Sequence, residues 1–364
     1  MPKAYLILEN GTVFEGDAFG YEGEAMGELV FSTGMTGYLE TLTDPSYYGQ
    51  IVIQTFPLIG NYGVIPADFE SGGFHIKGYI VRQWCQEPSN LRSEGNLDTF
   101  LRLHKIPGLC NIDTRALTRI VRERGVMNAV ISRKPALTDA EWAALKGYTI
   151  EGAVDNMTTK ARYELRPEGQ ERFHVALWDF GAKQSIAREL QERGCRVTVL
   201  PAGTKAEEVL ALRPDGIMLS NGPGDPAKNM GVVEELRKVC VHKIPTFGIC
   251  LGHQLLALSQ GAKTRKLHYG HRGANQPALE TATGRVFITS QNHGYAVINE
   301  SLPEHAEVSF INANDHTCEG IDYKNMPAFS VQFHPEACAG PLDTRWLFDR
   351  FITLMEEAKA HAAQ

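Results

Sequence analysis

The sequence predicts an α/β protein with two domains: a mixed α+β domain over residues 1–165, and a domain with a mostly parallel sheet flanked by helices over residues 172–360. Three observations support this fold class. The chain has 364 residues, more than one typical core accommodates. Its first half contains short apolar runs separated by glycine-rich turns. Its second half alternates apolar runs with helical patterns, which is typical of βαβ units in a parallel sheet.

In the first half, β-type residues recur in short runs bounded by Gly, Pro, Asn and Asp. The strands predicted from these runs cover residues 5–8, 29–32, 50–56 and 78–82. Helical patterns follow at residues 96–103 and 114–124, where Asp113 is a suitable N-cap for the second helix and Gly125 a suitable stop. A polar, uneven stretch over residues 151–171 predicts a linker.

Beyond the linker, short apolar runs and helical patterns follow one another. The predicted strands cover residues 175–180, 196–200, 216–220 and 246–249, and the helices between and after them cover residues 183–193, 205–212, 232–241 and 252–259. The last third is strand-rich, with runs at 285–289, 295–298, 307–312 and 328–333, before a closing helix at 343–360. This part of the chain is therefore expected to form the mostly parallel sheet.

Composition excludes several function classes. The net charge is −7, and neither half has the basic excess that would attract nucleic acid or an anionic membrane surface. No run approaches the ~18 apolar residues of a membrane span. The seven cysteines are widely spaced without a CxxC pair, so they form neither a disulfide framework nor a zinc knuckle. We expect a cytoplasmic protein with reduced thiols and no bound metal.

Cys250 is the best candidate for a reactive group. An apolar strand runs directly into Gly248-Ile-Cys-Leu-Gly252, and a helix follows. This is the thiol counterpart of the Gly-x-Ser-x-Gly nucleophile elbow, in which glycines leave room for a tight strand-to-helix turn. The helix N-terminus then offers free N–H groups and a positive dipole end, which favour thiolate over thiol. The alternative, a buried cysteine in a glycine turn, is less favoured by this pattern.

A cysteine nucleophile needs a group that handles protons. His334 follows an apolar strand, and Glu336, two residues on, can orient its imidazole. A further loop, Ser220-Asn-Gly222-Pro-Gly224-Asp-Pro226, follows another predicted strand. Its prolines disfavour a dinucleotide-binding helix start, and its backbone N–H groups suit an oxyanion or a substrate carboxylate.

Together these motifs resemble those of class I glutamine amidotransferases, over about residues 172–360. In that family a cysteine attacks the side-chain amide of glutamine, releases ammonia and leaves a glutamyl thioester that water hydrolyses. The resemblance implies that Cys250 is the nucleophile, His334 the acid and base, and Glu336 its orienting group. It also implies that the Leu251 N–H and the loop at Gly222 and Gly224 hold the oxyanion and substrate. Gln254 is implied to contact the glutamine.

The first half resembles the small-subunit family of glutamine-hydrolysing carbamoyl-phosphate synthases. The resemblance rests on residues 32–40, 42–47 and 112–119, and it implies an N-terminal docking domain before the glutaminase. It implies further glutamine-binding residues: Ser46, Asn292, Gly294 and Tyr295. Gln276 departs from the family motif, where His is expected.

The resemblance also implies a partner, the large synthetase subunit. That partner would use ATP, Mg and bicarbonate to make carbamoyl phosphate for arginine and pyrimidine biosynthesis, and this chain would bind no cofactor. Whether such heterodimers assemble into a higher oligomer stays open. Two other hypotheses remain: the glutaminase subunit of another synthase, such as one for anthranilate or guanylate, and a catalytically silent docking or redox-sensing module with this fold.

Overall fold

The chain divides into two compact units between Glu151 and Gly152. The computed structural model describes residues 2–337 and 339–362. The predicted boundary at residue 165 is therefore corrected, because residues 163–165 form a strand in the sheet of the second unit. The stretch predicted as a linker also contains the helix Ala153–Met157.

The first unit consists mainly of short strands. Its strands are β1 (Lys3–Leu8), β2 (Val13–Gly20), β3 (Ala25–Ser32), β4 (Gln50–Gln54), β5 (Leu58–Ile59), β6 (Gly78–Ile80), β7 (Gln83–Trp84), β8 (Pro107–Cys110) and β9 (Met127–Ser132). Its helices are α1 (Tyr38–Thr43), α2 (Leu97–Leu103), α3 (Thr114–Arg124) and α4 (Asp139–Gly147). Within the described residues, the longer strands form a closed sheet in the order β1-β2-β8-β6-β4-β3-β9.

Two hydrophobic cores lie on the two sides of this closed sheet. Successive residues of a strand point to opposite faces, so Leu29 and Ile51 enter one core while Val30 and Val52 enter the other. Helix α3 begins as predicted, because the Asp113 carboxylate accepts a hydrogen bond from the Ala116 N–H at 3.0 Å. The prediction of a mixed α+β unit is confirmed, and the closure of the sheet adds to it.

The second unit carries a large sheet with helices. Its helices are α5 (Ala153–Met157), α6 (Gln184–Glu192), α7 (Ala206–Ala211), α8 (Met230–Cys240), α9 (Leu251–Ser259) and α10 (Trp346–Ala362). Its strands are β10 (Tyr163–Leu165), β11 (Phe173–Asp179), β12 (Cys195–Pro201), β13 (Gly216–Leu219), β14 (Thr246–Ile249), β15 (Thr264–Glu280), β16 (Val286–Val297), β17 (Ala306–Asn312), β18 (Cys318–Tyr323) and β19 (Ala328–Val331).

The described strands of the second unit pair in the order β10-β12-β11-β13-β14-β19-β18-β17-β15-β16. The strands from β12 to β19 along this order are parallel, as predicted. From β19 onward the sheet continues as antiparallel strands. The predicted runs at 285–289 and 295–298 belong to one strand, β16, and its long partner β15 was not predicted.

Apolar side chains cover both faces of the parallel strands. Ala176 and Trp178 pack in a core with residues of α7, α8 and α9, whereas Val175 and Leu177 pack with α6 and α10. Helices on both faces require strands that are buried throughout, and every residue of β11 and β14 is buried. The loops at the carboxyl ends of β11, β13, β14 and β19 consequently share one edge of the sheet, which is where ligand sites form in such folds.

Candidate active site

Cys250 occupies a sharp turn between β14 and α9. It is the N-cap of α9, its φ is 53° and its ψ is −104°, and only 2% of its surface is exposed. A positive φ in a residue other than glycine costs about 1–3 kcal/mol and persists where the surroundings fix it. A Cβ on Gly252 would lie 2.4 Å from the Leu219 carbonyl oxygen, and one on Gly248 would lie 2.9 Å from the Gly252 oxygen. Both positions of the predicted elbow therefore require glycine.

The neighbouring strand brings His334 to the same edge. β14 and β19 are parallel, with Ile249 opposite Val331, and the Cys250 N–H donates to the Val331 oxygen at 2.9 Å. His334 follows this strand end after two residues and is 1% exposed. A second approach comes from β16, because the Cys250 Sγ lies 3.7 Å from the Asn292 carbonyl oxygen.

His334, Glu336 and Lys183 form a buried chain of charges. The His334 Nδ1 lies 2.7 Å from the Glu336 Oε1, and the Lys183 Nζ lies 3.6 Å from the same oxygen. The side chains of Glu336 and Lys183 are 0% and 9% exposed. Because Nδ1 faces Glu336, the other ring nitrogen of His334 is left to interact with the sulfur of Cys250.

The surroundings favour a protonated His334. Burial and the Lys183 charge oppose the imidazolium, but the Glu336 carboxylate and the Cys250 sulfur outweigh both and raise the pKa of His334 to about 10. Burial opposes the charged form of Glu336 as well, but His334 and Lys183 lower the pKa of this carboxyl below its ordinary value. A cysteine sulfur next to an imidazolium is an arrangement suited to nucleophilic catalysis.

The glycine loop after β13 packs against the start of α9. A Cβ on Gly222 would lie 2.4 Å from the Phe180 oxygen and 2.7 Å from the Leu251 Cδ2, so the loop backbone approaches both closely. Leu251 is the first residue of α9, so its N–H has no partner within the helix. Gly224 has a φ of 88°, a value that favours glycine. Gly222 and Leu251 thus lie together next to Cys250, and their role in holding an oxyanion stays a prediction.

Gln254 links three elements around the nucleophile. Its Nε2 donates to the Tyr295 oxygen and to the Gln332 Oε1, both at 2.8 Å. Its amide hydrogens therefore hold β16 and the residue after β19 in place. The predicted contact of Gln254 with glutamine stays a prediction, and these bonds leave its amide oxygen for that contact.

The other predicted glutamine-binding residues lie in both units. Asn292, Gly294 and Tyr295 belong to β16, next to the elbow, with Asn292 buried and the other two half-buried. Ser46 lies in a 3-10 turn of the first unit, Pro45–Tyr47, where its N–H donates to the Asp44 Oδ1 at 2.8 Å. Their roles in binding glutamine stay predictions.

Comparisons with known proteins match both halves of the chain. Residues 176–354 match the family model described as glutamine amidotransferase class-I, and residues 6–131 match carbamoyl-phosphate synthase small chain, CPSase domain. The chain is 52% identical to the carbamoyl phosphate synthase small chain of Clostridium perfringens, over 96% of this chain and 99% of the relative. It is 49% identical to the small chain of Listeria monocytogenes over the full length of both.

The chain belongs to the carbamoyl phosphate synthase small chain family. Among solved structures, a glutamine amidotransferase of Thermotoga maritima is 19% identical, with a TM-score of 0.37, and the match covers 51% of this chain and 85% of that one. Within the described residues of this family member, no helix is both long and apolar enough to cross a bilayer.

Lys183 was missed by the sequence analysis. It is the N-cap of α6, where a cation faces the positive end of the helix dipole. A lysine at a helix N-terminus is electrostatically unfavourable, and such an unfavourable residue often has a functional role. Here the ion pair with Glu336 explains its position.

Three of the other described cysteines have surroundings that disfavour the thiolate. Burial raises the pKa of Cys195 and of Cys318 to about 12, and that of Cys240 to about 11, so these thiols stay protonated. The prediction that Cys195 belongs to the core is confirmed, whereas Cys240 is half-buried and packs against the core. Cys338 lies outside the described residues.

One group of side chains has metal-ligand chemistry. His271, His293 and Glu319 are buried, and each offers a ligand atom within 4.8 Å of the others. His271 also contacts Asp315, with 2.9 Å between Nε2 and Oδ2. Carboxylates therefore face both ring nitrogens of His271, which is the environment of an imidazolium, and an imidazolium has no lone pair for a metal.

Proposed function

We propose that this chain hydrolyses L-glutamine to glutamate and ammonia through a thioester on Cys250. The observation that carries the proposal is the position of Cys250, strained at a helix N-terminus and next to the buried His334–Glu336 pair. The family's glutamine amidotransferase domain supports it.

The proposed reaction has two steps. First, the Cys250 thiolate attacks the side-chain amide carbon of glutamine, and the Leu251 N–H and the Gly222 loop stabilise the oxyanion. His334 then donates its proton to the nitrogen, the C–N bond breaks and ammonia leaves. Second, water attacks the thioester carbon while His334 accepts a proton from it. The C–S bond breaks, and glutamate is released.

Glu336 and Lys183 have supporting roles in this scheme. The Glu336 carboxylate holds Nδ1 of His334, so the other nitrogen is directed at the reacting groups. The positive charge of Lys183 lowers the pKa of His334, so the imidazole releases its proton more readily than it would beside Glu336 alone. Together they would keep His334 able both to give and to accept a proton.

The ammonia is proposed to pass to a large synthetase subunit, which makes carbamoyl phosphate from bicarbonate and ATP with Mg. The names of the small-chain relatives support such a partner. Transfer without release is favoured by chemistry, because free ammonia, with a pKa of about 9, would be mostly ammonium at neutral pH. We further propose a place in arginine and pyrimidine biosynthesis, with no cofactor bound by this chain. Location in the cytoplasm stays a prediction from the sequence.

The variant Cys250→Ser tests the proposal in the complex of this chain with the large subunit. We expect loss of glutamine-dependent carbamoyl phosphate synthesis and retention of synthesis from added ammonia, since only the nucleophile changes. Cys240→Ser, in α8, is the matched control and should keep both activities. Glutamine hydrolysis by Cys250→Ser at the wild-type rate would overturn the assignment.

A further inference from the structure

A cluster of charged side chains includes the buried His271 on β15, the buried Glu319 on β18 and the partly exposed Asp315 between β17 and β18. His271 on β15 faces the Glu319 Oε1 with its Nδ1 at 3.2 Å and the Asp315 Oδ2 with its Nε2 at 2.9 Å. His271 is 8% exposed, and Glu319, on β18, is 0% exposed. Acidic side chains on opposite ring nitrogens stabilise the doubly protonated ring, so His271 lies between two acidic partners, although burial raises the pKa of Glu319.

The hydrogen bonds favour an ion-paired imidazole over a metal ligand. The Asn312 Nδ2 lies 3.2 Å from the Glu319 Oε1 and 3.4 Å from the His271 Nδ1. The amide donates to the Glu319 Oε1, the same oxygen that faces the His271 Nδ1 and that a cation would use. Burial opposes the charge on His271, but Asp315 and Glu319 raise the pKa of His271 to about 9.

The cluster is connected to the predicted substrate strand by His293. His271 and His293 are opposite each other in the β15–β16 ladder, and their rings meet edge to face with 4.9 Å between centroids. The His293 Nδ1 lies 2.8 Å from the Tyr295 carbonyl oxygen, the same oxygen that accepts from Gln254. The packing of His271 on His293 therefore fixes the backbone at Tyr295, the last residue of segment 292–295.

The cluster is also connected to the strand that leads to His334. The Gln332 N–H donates to the Glu319 carbonyl oxygen at 2.9 Å, two residues before His334. Gln332 in turn accepts the Gln254 amide through its side chain. Glu319 thus contacts both His271, which packs on His293 of β16, and Gln332, which precedes His334 by two residues. None of these contacts includes Cys250.

We propose that Asp315, His271 and Glu319 are positioning residues that hold segment 292–295 in the geometry that binds glutamine. The inference rests on the proposed function, because it assumes that this segment contacts glutamine. Loss of the cluster is expected to weaken substrate binding more than the chemical step, since the Cys250 N–H is bonded to Val331 at the end of β19 and the His334 N–H to Ser290, which lies outside segment 292–295.

Two variants remove charge with little change in shape: Asp315→Asn and Glu319→Gln. Each should raise KM for glutamine about tenfold, a ratio that corresponds to ~1.4 kcal/mol, with kcat unchanged. Such a split identifies lost binding rather than lost catalysis. The side chain of Asp315 is half exposed, at 48%, so Asp315→Asn remains informative if Glu319→Gln fails to fold. Asn also keeps the oxygen that accepts from Thr317.

Glu189→Gln provides the matched control. Glu189 is likewise a buried carboxylate with cationic partners, but it lies on α6 and pairs with Arg193 and Arg345. It should lower the unfolding temperature without changing KM. An unchanged KM in Asp315→Asn, or an unfolding change without a KM change, would overturn the positioning role. If the wild-type chain with its partner hydrolyses no glutamine, the proposed function itself is refuted. This outcome differs from an unchanged KM in the variants, which refutes only the positioning role.

Discussion

Gly252→Ala tests the geometry of the elbow most severely. A Cβ at this position would lie 2.4 Å from the Leu219 oxygen and 2.7 Å from the Leu219 Cβ. Ordinary contact begins at 3.4 Å, so α9 must move away from β13 by 1.0 Å, the difference between 3.4 and 2.4 Å. Overpacking of this kind costs about 1–3 kcal/mol in the free energy of unfolding. A 1 Å displacement of a reacting group lowers the rate ~100-fold.

The assay is alkylation of Cys250 by a glutamine analogue with a chloroketone in place of the amide. The second-order rate of labelling should fall ~100-fold in Gly252→Ala, while urea denaturation reports the loss of stability. Gly231→Ala, at an exposed site in α8 where a Cβ meets nothing within 4 Å, is the control. It should label normally and gain about 0.5 kcal/mol. Normal labelling and stability in Gly252→Ala would refute the reasoning on the elbow.

Two other variants probe the surroundings of the site. The folded-state pKa of His334, about 10, lies above its ordinary value of 6.5, so its contribution to stability is complete below 6.5 and is lost as the pH rises through 10. In Glu336→Gln this loss should occur at lower pH, because the carboxylate that raises the pKa of His334 is gone. Urea denaturation at a series of pH values from neutral to alkaline measures the free energy of unfolding of both proteins. The same dependence on pH in both would contradict the prediction. Ser330→Ala removes the hydroxyl that lies 2.8 Å from the buried His253 Nδ1. The free energy of unfolding should fall by about 1–3 kcal/mol, and a change below ~0.5 kcal/mol would argue against that contact.

Local patterns explain what could be predicted from the sequence. Gly248 and Gly252 flank Cys250 within a few residues, and the turn they permit is a local property of the backbone. The helix cap at Asp113 and the alternation of strands and helices after residue 172 are local as well. The carboxyl ends of β14 and β19 then bring Cys250 and His334 together, which follows from parallel pairing once the strand order is known.

What could not be predicted depends on distant pairing. β15 contains Gly270, Gly273 and Pro277, residues that favour turns, yet it pairs with β16 on both sides of two register irregularities, and Gly270, with a φ of 71°, lies within one of them. The first sheet closes because β9 pairs with both β1 and β3, which no short window of sequence shows. The contacts of Lys183 with Glu336 and of His271 with Glu319 also join residues far apart in the chain.

In the proposed reaction Cys250 carries a glutamyl group during turnover. The protein is mixed with glutamine, quenched in acid and digested, and the masses of its peptides are measured by mass spectrometry. We predict an adduct of one glutamyl group on the peptide that contains Cys250, absent from Cys250→Ser and from a sample without glutamine. Hydrolysis of glutamine with the adduct on a different residue would contradict the account.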